Sequence, residues 1–239
     1  MAVGRRVGHR TRVVTTALFL AHEDDRSRGR AEAGSLAVAA RARGFEVVVA
    51  HPSDDLPRPE TVDFVTVLGS AHAADDDTLP WLAPERAYVA ETLAAGTPVL
   101  GVCFGGQVLS RVLGGVVDRS PHPEIGFVSV DSSCDFIDSG PWMQWHFDHF
   151  TVPPGATMVA DNAANAQAFV SGRNLGLQFH PEITAGSFAA WRLGWTPESE
   201  VEVARDFDID VDALARRITT DAADLERRCA RLLDGFLAL

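Results

Sequence analysis

Residues Gly101-Val102-Cys103-Phe104-Gly105-Gly106-Gln107 constrain this chain more than any other stretch. They follow an apolar run, Thr97-Pro98-Val99-Leu100, and lead into Val108-Leu109-Ser110-Arg111-Val112-Leu113 at helical spacing. That order reads as a strand, a sharp turn and a helix, with a thiol at the turn. It is the G-x-S-x-G nucleophile elbow with Cys in place of Ser. A residue held in such a turn adopts a sparsely populated backbone conformation at a cost of roughly 1–3 kcal/mol. The turn also crowds the positions two before and two after the nucleophile, where Gly101 and Gly105 stand. A helix starting just after Cys103 aims free N–H groups and partial positive charge at the sulfur, which favours the thiolate. The competing reading of these residues alone is an inert Cys buried at a glycine-rich junction.

A second segment decides between the two readings. Leu177-Gln178-Phe179-His180-Pro181-Glu182 is an alternating apolar segment that ends in a His, with a carboxylate two residues on. A cysteine nucleophile needs a base, and the base needs an orienting group. In an extended or turning segment, positions i and i+2 can face the same side. Glu182 can therefore hold the His180 imidazole without a further loop. A lone His at a strand end is more often structural, but the elbow and Glu182 together favour catalysis.

With these residues in place, the chain resembles the class I (triad) glutamine amidotransferases, and among them the stand-alone group similar to the glutaminase domain of GMP synthase. The resemblance runs from about residue 12 to the C-terminus. It is carried, in order, by Val67-Leu68-Gly69, Asp77-Thr78-Leu79-Pro80-Trp81-Leu82, Pro98 to Cys103, Glu124-Ile125-Gly126, Trp145-His146-Phe147-Asp148 and Gln178-Phe179-His180-Pro181-Glu182. It implies a single doubly wound, mostly parallel α/β sheet with flanking helices.

Composition agrees. A chain of 239 residues, 46% of them hydrophobic, can bury one sizeable core in one α/β domain. A net charge of −12 argues against a phosphate-backbone partner, so no nucleic acid is expected. The three cysteines, at 103, 134 and 229, suit neither a disulfide framework nor a metal site. A catalytic thiol fits a reducing cytoplasm. Arginines 5, 6, 10 and 12 precede the apolar run 13–21 and faintly imitate a signal peptide, but the run is short and His22-Glu23-Asp24-Asp25 follows without a cleavage site. Residues 1–11 are therefore expected to be a mobile arm and 13–20 the first core strand. No apolar run reaches the 18 or more residues of a membrane span.

Strand and helix signals alternate along residues 12–239. Ala31 to Arg43 reads as a helix closed by Gly44, and Phe45 to Ala50 as a strand. A strand over Val62 to Leu68, a helix near Pro84 to Ala95 and the elbow follow. Ile125 to Val130, Thr157 to Ala160, Ala166 to Val170 and Gly176 to Phe179 read as short, mostly antiparallel strands. In the extension 193–239, Thr196-Pro197-Glu198 is a helix start. Beyond it, Leu214, Ile218, Leu225, Cys229, Leu232 and Phe236 predict one long amphipathic helix packed on the core, its end a candidate homodimer contact.

The resemblance implies hydrolysis of the glutamine side-chain amide. Cys103 would form a γ-glutamyl thioester, His180 would move the protons and Glu182 would orient the ring, with no cofactor. The oxyanion would be held by two backbone amides, one from Phe104 and the other from Ser70. Relatives carry Gly-Gly-Pro where this chain has Gly69-Ser70-Ala71-His72. Ser adopts unusual backbone angles less freely than Gly, so the expectation is a loop either strained until a docked partner resets it or rebuilt around His72. Substrate contacts are implied for Gly69 and Gln107 and for the segment Trp145, His146 and Phe147. His146, Asp148 and His149 lack the spacing of a metal site, so no metal is expected, and Glu124 either lines the pocket or pins a loop.

The chain carries no P-loop, so ammonia would pass to a synthase on another polypeptide. A hydrolase of γ-glutamyl conjugates with the same triad is the alternative within this chemistry. A catalytically silent regulatory subunit on the same fold is the alternative outside it.

Overall fold

A computed structural model describes residues 15–239, apart from the side chains of residues 197, 199, 200, 203 and 204. The expected arm, residues 1–11, lies outside the described residues. β1 (Thr16–Leu20), β2 (Glu46–Ala50), β3 (Phe64–Val67), β4 (Val99–Val102) and β10 (Asn174–Leu177) form the parallel part of one sheet. β9 (Ala166–Ser171), β8 (Thr157–Asp161) and β6 (Asp131–Ser132) extend it antiparallel, in the order β2-β1-β3-β4-β10-β9-β8-β6. The segment expected as an antiparallel strand at Gly176 thus lies parallel to β4 on one side and antiparallel to β9 on the other.

Strand alternation sends neighbouring side chains to opposite faces. Ala17 and Phe19 pack with α2 (Gly34–Ala42) and α8 (Ala222–Leu237), while Leu18 and Leu20 pack with α3 (Leu82–Ala94) and α4 (Phe104–Val112). These are the covered faces of a doubly wound sheet. α5 (Ala185–Arg192), α6 (Pro197–Phe207) and α7 (Val211–Thr220) complete the helices of the C-terminal region. Leu214, Ile218, Leu225, Cys229, Leu232 and Phe236 are all buried, which makes that stripe core.

Three elements differ from the sequence reading. The single closing helix is two, α7 and α8, joined at Asp221 (φ −91°, ψ 4°). Ile218 and Leu225 stand seven residues apart, close to two helical turns, so their periodicity runs through the break unseen. Trp142 to Phe150 form a strand, β7, paired antiparallel with β5 (Val117–Val128) in a separate ribbon. Both faces of β7 are largely covered, so it shows little of the alternation that marks a half-exposed strand.

The third difference positions the site. The helix expected over 31–43 is preceded by a short helix, α1 (Arg26–Glu32), and the two are separated at Gly34, whose φ is +45°. A Cβ at Gly34 would stand 2.0 Å from the Glu182 carbonyl oxygen. The start of α2 donates from the Ser35 amide to that same oxygen (2.9 Å) and from the Ser35 hydroxyl to the Pro181 carbonyl (3.2 Å). One helix N-terminus thereby holds the His180-Pro181-Glu182 turn.

Gly34→Ala combines a left-handed φ with a clash against backbone, whereas Gly44→Ala (φ +90°) meets nothing within 4 Å. Thermal unfolding should therefore show Gly34→Ala to be the more destabilised by at least ~2 kcal/mol, an overpacking cost beyond the conformational one.

Candidate active site

Cys103 lies between β4 and α4 with φ 52° and ψ −108°, in the left-handed half of conformational space that an L-residue seldom enters. The neighbouring glycines explain how the turn closes. A Cβ at Gly101 would come within 2.4 Å of the Gly105 oxygen. At Gly105 it would reach 2.0 Å from the Val67 oxygen, and at Gly106 2.3 Å from the Leu177 oxygen. The first turn of α4 is thus pressed onto β3 and β10, and the Cys103 amide donates to the Leu177 carbonyl (2.9 Å). The Phe104 amide, the first of the helix, has no intrahelical acceptor. Gln178 Nε2 lies 3.7 Å from the Cys103 sulfur and donates to it; the Trp145 carbonyl lies 3.9 Å away.

His180 and Glu182 follow β10. The imidazole Nδ1 and the Glu182 carboxylate are 2.7 Å apart, with both side chains at most 4% exposed. Burial alone would discharge the ring. The negative charges of Glu182 and of a Cys103 thiolate, with hydrogen bonds to both, overcome it and hold the imidazole pKa above its usual range. Trp191 meets the ring edge-on, with centroids 4.7 Å apart.

Cys103, His180 and Glu182 line a single cavity of about 310 Å³, together with Gly69, Ser70 and Trp145. Gly69 is required there by space, since a Cβ would stand 2.9 Å from His180 Cε1. Its φ is not positive, and neither is that of Ser70; among the described residues only Cys103 and Asp208 are non-glycines with positive φ. The strain expected from Ser in place of Gly is therefore absent, because this turn does not use the conformation that only glycine enters easily.

Gln107, His146 and Phe147 do not reach the cavity wall. Gln107 Nε2 donates to the Asp148 carbonyl (3.1 Å) and ties α4 to β7. Phe147 packs against Phe207 and under the Arg119 guanidinium. His146 turns to Glu124 (3.2 Å), whose carboxylate also accepts from Asn162, Asn165 and Gln167 at 2.7–2.9 Å. Burial would raise the Glu124 pKa, but these donors outweigh it and lower it. Glu124 pins the ribbon and does not line the pocket. Asp148 pairs with Arg119, and no group of three or more metal-ligating side chains occurs among the described residues.

Several lining residues carried no signal of their own in the sequence. Trp191 and Trp195 come from α5 and the turn after it, and Arg28 and Glu32 from α1. His22 and Glu23 follow β1, at the carboxyl end of a parallel strand. The rule that open α/β sheets bind ligands beyond those ends is the one clue that could have found them. Glu32 is pushed up to about 7 by burial and then by the charge of Glu23. Among the described residues no helix is long and apolar enough to cross a membrane.

Comparison with known proteins gives the site a context. The model of the class-I glutamine amidotransferase family matches residues 33–191. The glutamine-hydrolysing GMP synthase subunit of Saccharolobus solfataricus is 31% identical over 150 residues, covering 59% of this chain and 78% of that protein. The GMP synthase of Aeropyrum pernix is 37% identical over 117 residues, 43% of this chain but 22% of that larger protein, so the chain spans only a minor part of that relative's length. A glutamine amidotransferase from Thermotoga maritima superposes with a TM-score of 0.80 at 26% identity, covering 94% of this chain and 99% of that one. With most of its length inside the family match and the same fold throughout, the chain belongs to the class-I glutamine amidotransferases.

Proposed function

We propose that this protein hydrolyses the side-chain amide of glutamine through a thioester on Cys103 and supplies the ammonia to a separate synthase. The observation that carries the reading is a thiol in a strained elbow sharing one cavity with a buried His180–Glu182 pair. The synthase partner is supported by relatives named as glutamine-hydrolysing GMP synthases, one of them named as a subunit.

The chemistry follows from the charges. Proton transfer from the Cys103 thiol to His180, whose charged form Glu182 favours, supplies the nucleophilic thiolate. The sulfur attacks the amide carbon, and the developing oxyanion is met by the Ser70 and Phe104 amides. Losing one such donor typically costs ~2.7–4 kcal/mol of transition-state stabilisation. As the tetrahedral intermediate collapses, the C–N bond breaks and His180 gives its proton to the departing ammonia. The neutral ring then takes a proton from water, the hydroxide attacks the thioester, and glutamate leaves as the thiolate re-forms. Glu182 keeps the ring oriented and stabilises its charged form. Arg28 and Glu23 at the cavity wall, paired with each other at 3.0 Å, supply charges of both signs for the α-carboxylate and α-amino groups of the substrate.

A second reading rests on the tryptophan wall of the cavity. Trp145, Trp191 and Trp195 line it, with Trp145 and Trp195 stacked at 4.8 Å, and they offer an apolar surface for a substituent on the γ-amide nitrogen. Such a γ-glutamyl conjugate would use the same thioester. The rate of ammonia release from glutamine, set beside amine release from γ-glutamyl amides, decides between them. Faster turnover of glutamine is expected; rapid turnover of a conjugate with slow turnover of glutamine would replace the first reading by the second.

Cys103→Ala should abolish turnover, whereas Cys134→Ala and Cys229→Ala should retain it. The Cys229 thiol is pushed up to about 12 by burial, so it stays protonated and unreactive. An electrophilic glutamine analogue should add its mass at Cys103 alone, and labelling at Cys134 or Cys229 would sink the assignment.

Glu182→Gln removes a charge that raises the His180 pKa, so the ring should titrate at lower pH in the variant. An NMR titration of the imidazole should show that shift, and the alkaline limb of kcat/KM should move the same way. His180→Ala should lose at least as much activity as Glu182→Gln, because it removes the proton carrier itself.

A further inference from the structure

A second buried histidine–carboxylate pair stands behind the loop that contains Ser70. His22 Nε2 lies 2.9 Å from Glu85 Oε1, and the two side chains are 2% and 0% exposed. The other ring nitrogen, Nδ1, lies 2.8 Å from the carbonyl oxygen of Gly69. A carbonyl can only accept, so Nδ1 donates. Glu85 Oε1 stands on the far side, so the ring, when charged, donates from both nitrogens. Burial opposes that charge, while Glu85 and the Gly69 oxygen favour it, and the balance raises the His22 pKa.

The acceptor's place in the chain gives this pair its meaning. The Gly69 carbonyl and the Ser70 N–H belong to one trans peptide unit, planar, with the two groups pointing in opposite directions. Holding the carbonyl on His22 therefore fixes the direction of the Ser70 N–H. A cation on the oxygen also polarises the peptide and strengthens the amide as a donor, since hydrogen bonds in series reinforce one another. His22 touches the other expected donor residue too, its ring centroid 4.6 Å from that of Phe104. The ring itself reaches the cavity that holds Cys103.

We infer that His22, anchored by Glu85, is a positioning residue that aims the Ser70 amide at the oxyanion formed on Cys103. This rests on the hydrolytic reading above and deepens it. It assigns His22 and Glu85 a role in turnover, exercised through a peptide group, with no contact to the reacting atoms required. It also supplies what the Gly69-Ser70 sequence alone left open, namely how the loop is held without a second glycine.

Two substitutions separate this role from mere support of the fold. Asn places its amide nitrogen near the position of Nδ1, so His22→Asn keeps a donor for Gly69 and loses Glu85. Gln reaches the position of Nε2, so His22→Gln keeps a partner for Glu85 and loses Gly69. Ammonia release from glutamine and hydrolysis of γ-glutamyl p-nitroanilide would be measured for the purified proteins, with thermal unfolding alongside. His22→Gln should fold and lose about 10- to 100-fold in kcat, a part of the ~10²–10³-fold loss that follows deletion of an oxyanion donor. Its KM should stay within about threefold, because the interaction strengthens in the transition state. His22→Asn should be the less stable protein and the better catalyst.

Wild-type kcat in His22→Gln, a loss confined to KM, or the reverse order of the two variants would overturn the inference. Should neither His22 variant fold, Glu85→Gln keeps the shape and removes the charge, and an unchanged kcat there would overturn it as well. A wild-type protein that hydrolyses neither substrate and takes no label at Cys103 would instead refute the functional reading, and the inference with it.

Discussion

Everything at this site depends on how closely the first turn of α4 approaches the sheet. Gly105 and Gly106 leave no room for a β-carbon against the Val67 and Leu177 carbonyls, and that contact holds Cys103 at a positive φ. Strain of this kind survives only where the surroundings over-determine it. Here the surroundings are the parallel strands β3 and β10, on either side of the elbow strand β4. The same strands deliver the other functional groups. β3 runs into Gly69 and Ser70, and β10 runs into His180 and Glu182. Close packing, loop placement and chemistry thus share one end of one sheet, as expected of open α/β folds.

The fold also concentrates buried charge there. Glu182, Glu85 and Glu124 are each below 8% exposed, and each faces a histidine at 2.7–3.2 Å. Desolvation makes such pairs poor sources of stability, and removing one partner of a buried pair is far more costly than never having built it. Their value is directional. Glu182 fixes a ring, Glu85 fixes a ring that in turn holds a peptide, and Glu124 gathers three amide donors that pin the β5–β7 ribbon beside the cavity. Through that ribbon Trp145 is held against the cysteine.

What could be read in the sequence was what lies in contiguous residues. The elbow announces itself because its glycines, thiol and apolar strand are adjacent, and His180 and Glu182 because two positions in a turn suffice to pair them. The buried stripe from Leu214 to Phe236 was legible for the same reason. Distant partners were not. His22 and Glu85 are 63 positions apart and look like an ordinary strand end and a helix surface residue. Gly34 seemed an interior glycine of one helix until the Glu182 carbonyl stood against it. Ser70 was misjudged because a missing glycine signals strain only if the turn demands a positive φ, and the dihedrals alone decide that.

The placement of β10 carries a consequence for the life of the molecule on the ribosome. This strand hydrogen-bonds beside β4 although Val99 and Asn174, which meet at its start, lie 75 positions apart in the chain. Contacts of such separation form late, after the cost of closing the intervening loop has been met. The acceptor of the Cys103 amide, Leu177, arrives with that strand, and His180 follows three residues later. A nascent chain therefore displays Cys103 without its histidine and carboxylate neighbours until Glu182 has emerged. Cys103 and the walls that enclose it come into being together.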